Sequence, residues 1–189
     1  MAFVDALDLR TAIFELVPDA RSDVWPRYVS LAETMLNRTL RHPRMIKSVT
    51  VTLLSNEAVL PSDYIEMIEV YRSGQSYGEV HIDEFDDSYV GYCYAIADNK
   101  IHLTGEGDQS IRYYAKVPTL ADSLTATNWL LDEGPDVYLY SVAAEALKRK
   151  PDEWAATMRA RETALTQLNS AGNRLQYGNS VVRVKGNTP

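Results

Sequence analysis

The chain has 189 residues, 46% hydrophobic and 24% charged, with a formal charge of −7; that length suits one domain, or one core with a sizeable insertion. Its single cysteine excludes an intrachain disulfide framework and a Cys-rich zinc site, and its acidic balance argues against a general nucleic-acid binder. No apolar run is long enough to span a membrane, and the opening MAFVDALDLR carries acids where a signal peptide needs a basic and then an apolar stretch, so a soluble protein is expected.

Residues 3–17 read as a helix, with Phe3, Leu7, Phe14 and Val17 near helical spacing and Pro18-Asp19 as its end. Ser22 or Asp23 is placed to cap a second helix, with Pro26 in its first turn and Tyr28, Leu31, Met35 and Leu36 as its apolar stripe. Arg38, Arg41 and His42 complement the dipole at its end, and Pro43 stops it. From residue 47 the period becomes two. Val49, Val51 and Leu53 alternate with threonines, a short strand reaches Leu60, and Ile65 to Tyr71 is mainly strand. Further strands are expected at about 91–97, 100–104 and 110–117, the first two joined by the tight-turn pair Asp98-Asn99. In the last strand Ile111, Tyr113, Ala115 and Val117 share one face, and Arg112, Tyr114 and Lys116 the other.

Helices return after Pro118. Thr127 is placed to cap a short turn through Asn128-Trp129-Leu130-Leu131 that Gly134 ends. Pro135 opens a helix packing Leu139, Val142, Ala143, Ala146 and Leu147. Pro151 opens another with Trp154, Met158, Leu165 and Leu168 in its stripe, Arg161 at the gap and Gly172 as its stop. The expected fold is therefore α+β. A helical bundle, with two N-terminal helices (1–46) and two to three C-terminal ones (118–172), carries an inserted antiparallel β domain (47–117) and an extended, flexible tail (173–189).

Charge is uneven along the chain: residues 1–73 carry −2, residues 74–133 carry −8 and residues 134–189 carry +3. Such a split points to two surfaces with different neighbours, although ordinary solvated faces would read the same way. Little catalytic chemistry is visible. His42, His81 and His102 lie in no metal-ligand spacing. Cys93 sits between tyrosines in an acidic region, the setting of a packed thiol rather than a nucleophile. Asp83-Glu84-Phe85-Asp86-Asp87 is the best candidate for holding a hard cation, yet it lacks the glycine and final glutamate of a calcium loop. Gly105-Glu106-Gly107-Asp108 precedes a strand, not the helix a phosphate loop needs. No catalytic residue, metal or cofactor is expected. A metal-dependent hydrolase using the acidic loop and a bacterial oligomeric scaffold are the alternatives.

The most distinctive text is Tyr113-Tyr114, Pro118 and Leu120, then Asn128-Trp129-Leu130-Leu131, then Pro135-Asp136, Tyr138-Leu139-Tyr140 and Glu145-Ala146. Upstream stand Leu31 to Arg41 and Leu60-Pro61 with Asp63-Tyr64. Over about residues 25–170 the chain resembles the head–tail adaptor (connector) proteins of tailed bacteriophages and prophages, with their "YYxxxPxL", "TNWLL", "PDxYLY" and "EA" segments. The resemblance implies a non-enzymatic virion protein made in the host cytoplasm. It implies a ring, expected to be dodecameric, docked beneath the portal and meeting tail proteins below, while DNA passes without sequence-specific binding. Its fold would be a helical bundle carrying a β domain.

For such a part, the tail residues Arg174, Tyr177, Val181, Val182, Arg183, Val184 and Lys185 would contact the portal or a neighbouring subunit. Asp83, Glu84, Asp86, Asp87, Glu106 and Asp108 would form an acidic surface facing the channel or the tail, repelling passing DNA. Trp129 and Trp154 are expected in the monomer's core. Tyr89, Tyr92, Tyr94, Tyr113 and Tyr114 serve either sheet packing or contact with a ring neighbour.

Overall fold

The computed structural model describes residues 3–72, 74–85, 92–104 and 107–177, with side chains described to Gly172. The fold is α+β, and the chain divides into two compact units: Met1–Arg44 with Val117–Pro189, and Met45–Lys116.

The first unit is helical. α1 (Ala6–Leu16) starts at Asp5, whose carboxylate accepts the amides of Leu7 and Asp8. Its buried face is Ala6, Leu9 and Ile13, so Leu7, expected inward, is on the outside. A 3-10 turn, Ser22–Val24, precedes α2 (Trp25–Thr39). Ser22 and Asp23 belong to that turn, and α2 begins at Val24 with no side-chain cap, its Pro26 in the first turn as expected. The buried stripe of α2 is Trp25, Val29, Ala32 and Leu36, together with Glu33; Leu31 and Met35 are exposed. The expected stripe was displaced because the aliphatic residues at 31 and 35 outweighed a buried acid in a purely hydrophobic reading.

α3 (Trp129–Glu133) is capped by Asn128 rather than Thr127. Asn128 is the extended residue there, and its side-chain oxygen accepts the Leu131 amide at 2.9 Å. α4 (Pro135–Ala146) packs against α1, α2, α3 and α5 (Pro151–Tyr177). It buries residues on nearly every side, as a central helix must. Gly172 does not stop α5, which continues to Tyr177. The glycine is there for space. A Cβ built on it would lie 2.5 Å from the His42 ring and 3.0 Å from Pro43. Trp154, expected in the core, is 38% exposed at the start of α5.

The second unit is a seven-stranded sheet in the order β1-β7-β3-β4-β5-β6-β2. β1 (Ile46–Leu53) pairs antiparallel with β7 (Gly107–Ala115) along its whole length, from Ile46↔Tyr114 to Leu53↔Gly107. β3 (Tyr64–Arg72) flanks the other side of β7 with two register irregularities. β4 (Gln75–Glu79) pairs with β3, and Gly74 between them takes a φ of 82°. β5 (Cys93–Ala97) and β6 (Lys100–Leu103) form a hairpin through Asp98 and Asn99, both with positive φ. β2 (Glu57–Val59) pairs with β6 and returns to β1 through Ser55-Asn56 and the Leu54↔Glu57 bridge. The two outer strands are thus joined by one tight turn, and the sheet is nearly closed. It is mixed rather than antiparallel: β4 and β5 run parallel at Gly78↔Cys93 and Glu79↔Tyr94. The connection between them is long enough for that crossover. β4 itself escaped a pattern reading because Gln-Ser-Tyr-Gly-Glu has no alternation.

The sheet's core gathers Leu53, Leu60, Val70, Ile101, Leu103 and Ile111. Ile111, Tyr113 and Ala115 point inward on β7, while Arg112 is exposed. Cys93 is a buried free thiol.

Candidate functional site

Most of the distinctive sequence segments meet in one buried polar network within the helical unit. At its centre is Glu33 on α2, only 6% exposed. Its Oε1 accepts the Leu120 amide at 2.7 Å and the Tyr138 hydroxyl, and its Oε2 accepts the Thr119 hydroxyl at 2.6 Å. Asn128 binds the same cluster: its side-chain amide donates to the Pro118 carbonyl at 2.6 Å and to the Tyr138 oxygen at 3.4 Å. One turn beyond Glu33, Asn37 accepts the Val117 amide at 2.9 Å. In the irregular segment 117–120, two α2 side chains and one cap residue thus satisfy the Val117 and Leu120 amides and the Pro118 carbonyl, partners that buried irregular backbone needs. Burial, then the nearby Glu33, pushes the Tyr138 phenol far above its ordinary range, so it stays a donor.

Pro118, Asn128 and Tyr138 take their roles here. Leu130 is fully buried in α3. Trp129 is half-buried and stacks on His42, ring centroids 5.0 Å apart and planes 12° apart. Burial first, and Arg44 after it, hold His42 below its usual range against the opposing pull of Glu133. The ring is therefore neutral, and its Nδ1 accepts the Arg44 amide at 3.3 Å. Pro135 and Asp136 form the first turn of α4, and Tyr140, half-buried, shares a shallow cavity of about 350 Å3 with them, Phe3 and Leu139.

Tyr113 and Tyr114 belong to the sheet. Tyr113 is buried, and its hydroxyl donates to Asp63 at 2.9 Å, while Lys47 pairs with the same carboxylate at 2.5 Å. Burial raises the Asp63 pKa, but these two hydrogen bonds outweigh it and leave the carboxyl below its ordinary range. Burial, then Asp63, pushes Tyr113 up to about 12. Tyr114 is half-buried on the opposite face of β7.

Of the acidic residues, Asp83 and Glu84 stand exposed on a 3-10 turn, Ile82–Glu84, where His81 pairs with Asp83 at 3.2 Å. Asp108 is exposed on β7 and accepts the Thr52 hydroxyl at 2.6 Å. Asp86, Asp87 and Glu106 lie outside the described residues, as do Val181, Val182, Arg183, Val184 and Lys185. Arg174 and Tyr177 lie on the last turns of α5, beyond the described side chains. Among the described residues no group of three or more His, Cys, Asp or Glu is placed to hold a metal ion, and no helix is long and apolar enough to cross a membrane.

Two further features lie in the helical unit, the first at the gap in the apolar stripe of α5. Arg161 is 2% exposed; its Nε donates to Ser141 Oγ at 3.1 Å and its Nη1 to Glu162 at 3.2 Å. The other is an open groove of about 510 Å3 where the α1–α2 junction meets the end of α4. Val17, Val24, Leu31 and Leu147 give it apolar walls, and Arg21, Arg27, Lys148, Arg149 and Lys150 outnumber the acids Asp19 and Glu145 in its lining. Its cations come from two separate stretches of the chain, Arg21 to Arg27 and Lys148-Arg149-Lys150. Their meeting depends on how α1, α2 and α4 pack.

Residues 4–185 match the model of the SU10 adaptor protein family. The chain belongs to that family. It is a family of phage head–tail adaptors, so the protein is a phage adaptor, associated with the virion and with head and tail components. The match also covers the two segments that build the buried network, α2 and residues 117–138. A search of the curated proteins finds no match.

Proposed function

We propose that this adaptor forms a ring, dodecameric by the resemblance, that docks beneath the portal and joins capsid to tail around a channel for DNA. It is a structural part without catalytic chemistry. The match to the adaptor family over residues 4–185 carries the reading. The motif residues support it physically. Pro118, Asn128 and Tyr138 are braces inside the protein, not a constellation open to substrate.

In this reading the basic end, Arg174, Tyr177 and residues 181–185, meets the portal or a neighbouring subunit. Asp86, Asp87, Glu106 and Asp108 turn to the channel or the tail, where like charge keeps DNA from sticking. Electron microscopy of the protein mixed with its portal tests it. A ring stacked on the portal is expected, and removal of residues 173–189 should abolish the complex. Absence of any complex across a range of salt concentrations overturns the proposal.

A further inference from the structure

We infer that the cationic groove of one copy receives the Ile82–Phe85 turn of a second copy, an interface that rests on the reading that copies assemble. The groove has unspent charge. Arg21 pairs with Asp23, Lys148 with Glu145, and Lys150 with Asp19. Arg27 and Arg149, both exposed on its rim, have no carboxylate partner among the described residues. Leu31 on its wall is 41% exposed, an aliphatic side chain left in water beside two unpaired cations. Such a site suits a segment that is acidic and apolar at once.

The chain carries that segment itself. Asp83 and Glu84 project from the turn, the Asp83 side chain 85% exposed, flanked by the half-covered Ile82 and Phe85. The groove's volume has room for an aromatic and an aliphatic side chain. Charge selects the occupant. Residues 45–116 hold five Lys/Arg against twelve Asp/Glu and so carry the whole net charge of −7, whereas the helical unit, with fourteen of each, is neutral overall. A groove on one unit and a turn on the other are unlike patches. Their pairing is head-to-tail, the kind that generates a ring when its rotation closes.

Sedimentation of the full chain over a concentration series tests this. The wild type should self-associate at low salt and dissociate at roughly 0.5 M salt, where the Debye length is short. R27E/R149E and D83K/E84K should each weaken association about tenfold or more, with circular dichroism unchanged because all four residues are exposed. The variant carrying all four changes should regain association. A chain that stays monomeric at every concentration, reversals without effect, or a fourfold variant that stays weak overturns the inference. Portal binding retained alongside any of those results leaves the adaptor reading standing. An acidic peptide from another protein that binds the groove while the chain does not self-associate also overturns it.

Discussion

The helical unit and the sheet solve opposite problems with their polar residues. The helical unit has no net charge, yet it buries Glu33, His42, Asn128, Ser141 and Arg161. The sheet carries all of the net charge, yet among its described residues Gln109 is the one buried polar side chain outside its tyrosines. Burying a polar group costs free energy unless it finds partners, and a half-satisfied network is worse than an apolar one. Glu33 and Asn128 bear that cost to hold a stretch without regular structure, residues 117–120. The sheet needs no such brace, because its ladders satisfy its backbone. Its polar residues are therefore available for the surface. The lesson is that the most distinctive residues of this chain are mainly internal carpentry.

The sharpest way to break the comparison is Glu33→Leu. It strands the Leu120 amide and the Tyr138 hydroxyl in the interior, and should cost about 3 kcal/mol in denaturant unfolding. A loss under about 0.5 kcal/mol would mean that the network is ornamental. Gly172→Ala comes next. In a free helix the change would stabilise by about 1 kcal/mol. Here it drives a methyl into His42, and a net loss of about 1–2 kcal/mol is expected from thermal melts. The smallest effect belongs to the sheet. Asp63→Asn removes the Lys47 pair, which is partly solvated, and should cost about 1 kcal/mol at neutral pH. Its sign with pH follows from linkage. The Asp63 pKa is depressed on folding, so its contribution is full above its unfolded value and lost as pH falls through the folded one. The gap between wild type and variant should begin to narrow near about pH 4 and close only below the lower, folded pKa.

Much of this architecture was legible in the sequence. The switch from helical period to alternation and back announced an α+β fold, and the inward face of β7 followed from Ile111, Tyr113 and Ala115. Failures came where an energetic exception overrode a pattern. Glu33 stands on the buried face of α2, so an apolar periodicity drew the stripe through the exposed Leu31 and Met35 instead. Gly172 looks like a helix stop, but its role depends on His42, far away in the chain. A parallel β4–β5 pair needs a crossover that no local signal announces. The charge division also moved. Asp122, Asp132 and Glu133, counted in the acidic middle of the chain, belong to the helical unit and offset its basic end. The groove was not legible at all, because two stretches far apart in the chain, residues 17–31 and 145–150, build it.

The pairing of β1 with β7 has one more consequence. It sets Ile46 opposite Tyr114, so the chain enters and leaves the sheet at adjacent points. To the helices, the folded sheet is no longer than a tight loop, and the entropy of closing that loop stays small whatever lies inside it. Ends this close are also what make a domain transferable. The sheet is thus a cassette. A lineage of such proteins can lengthen, shorten or replace it, and retune whatever it meets, without redesigning the helical frame that carries it.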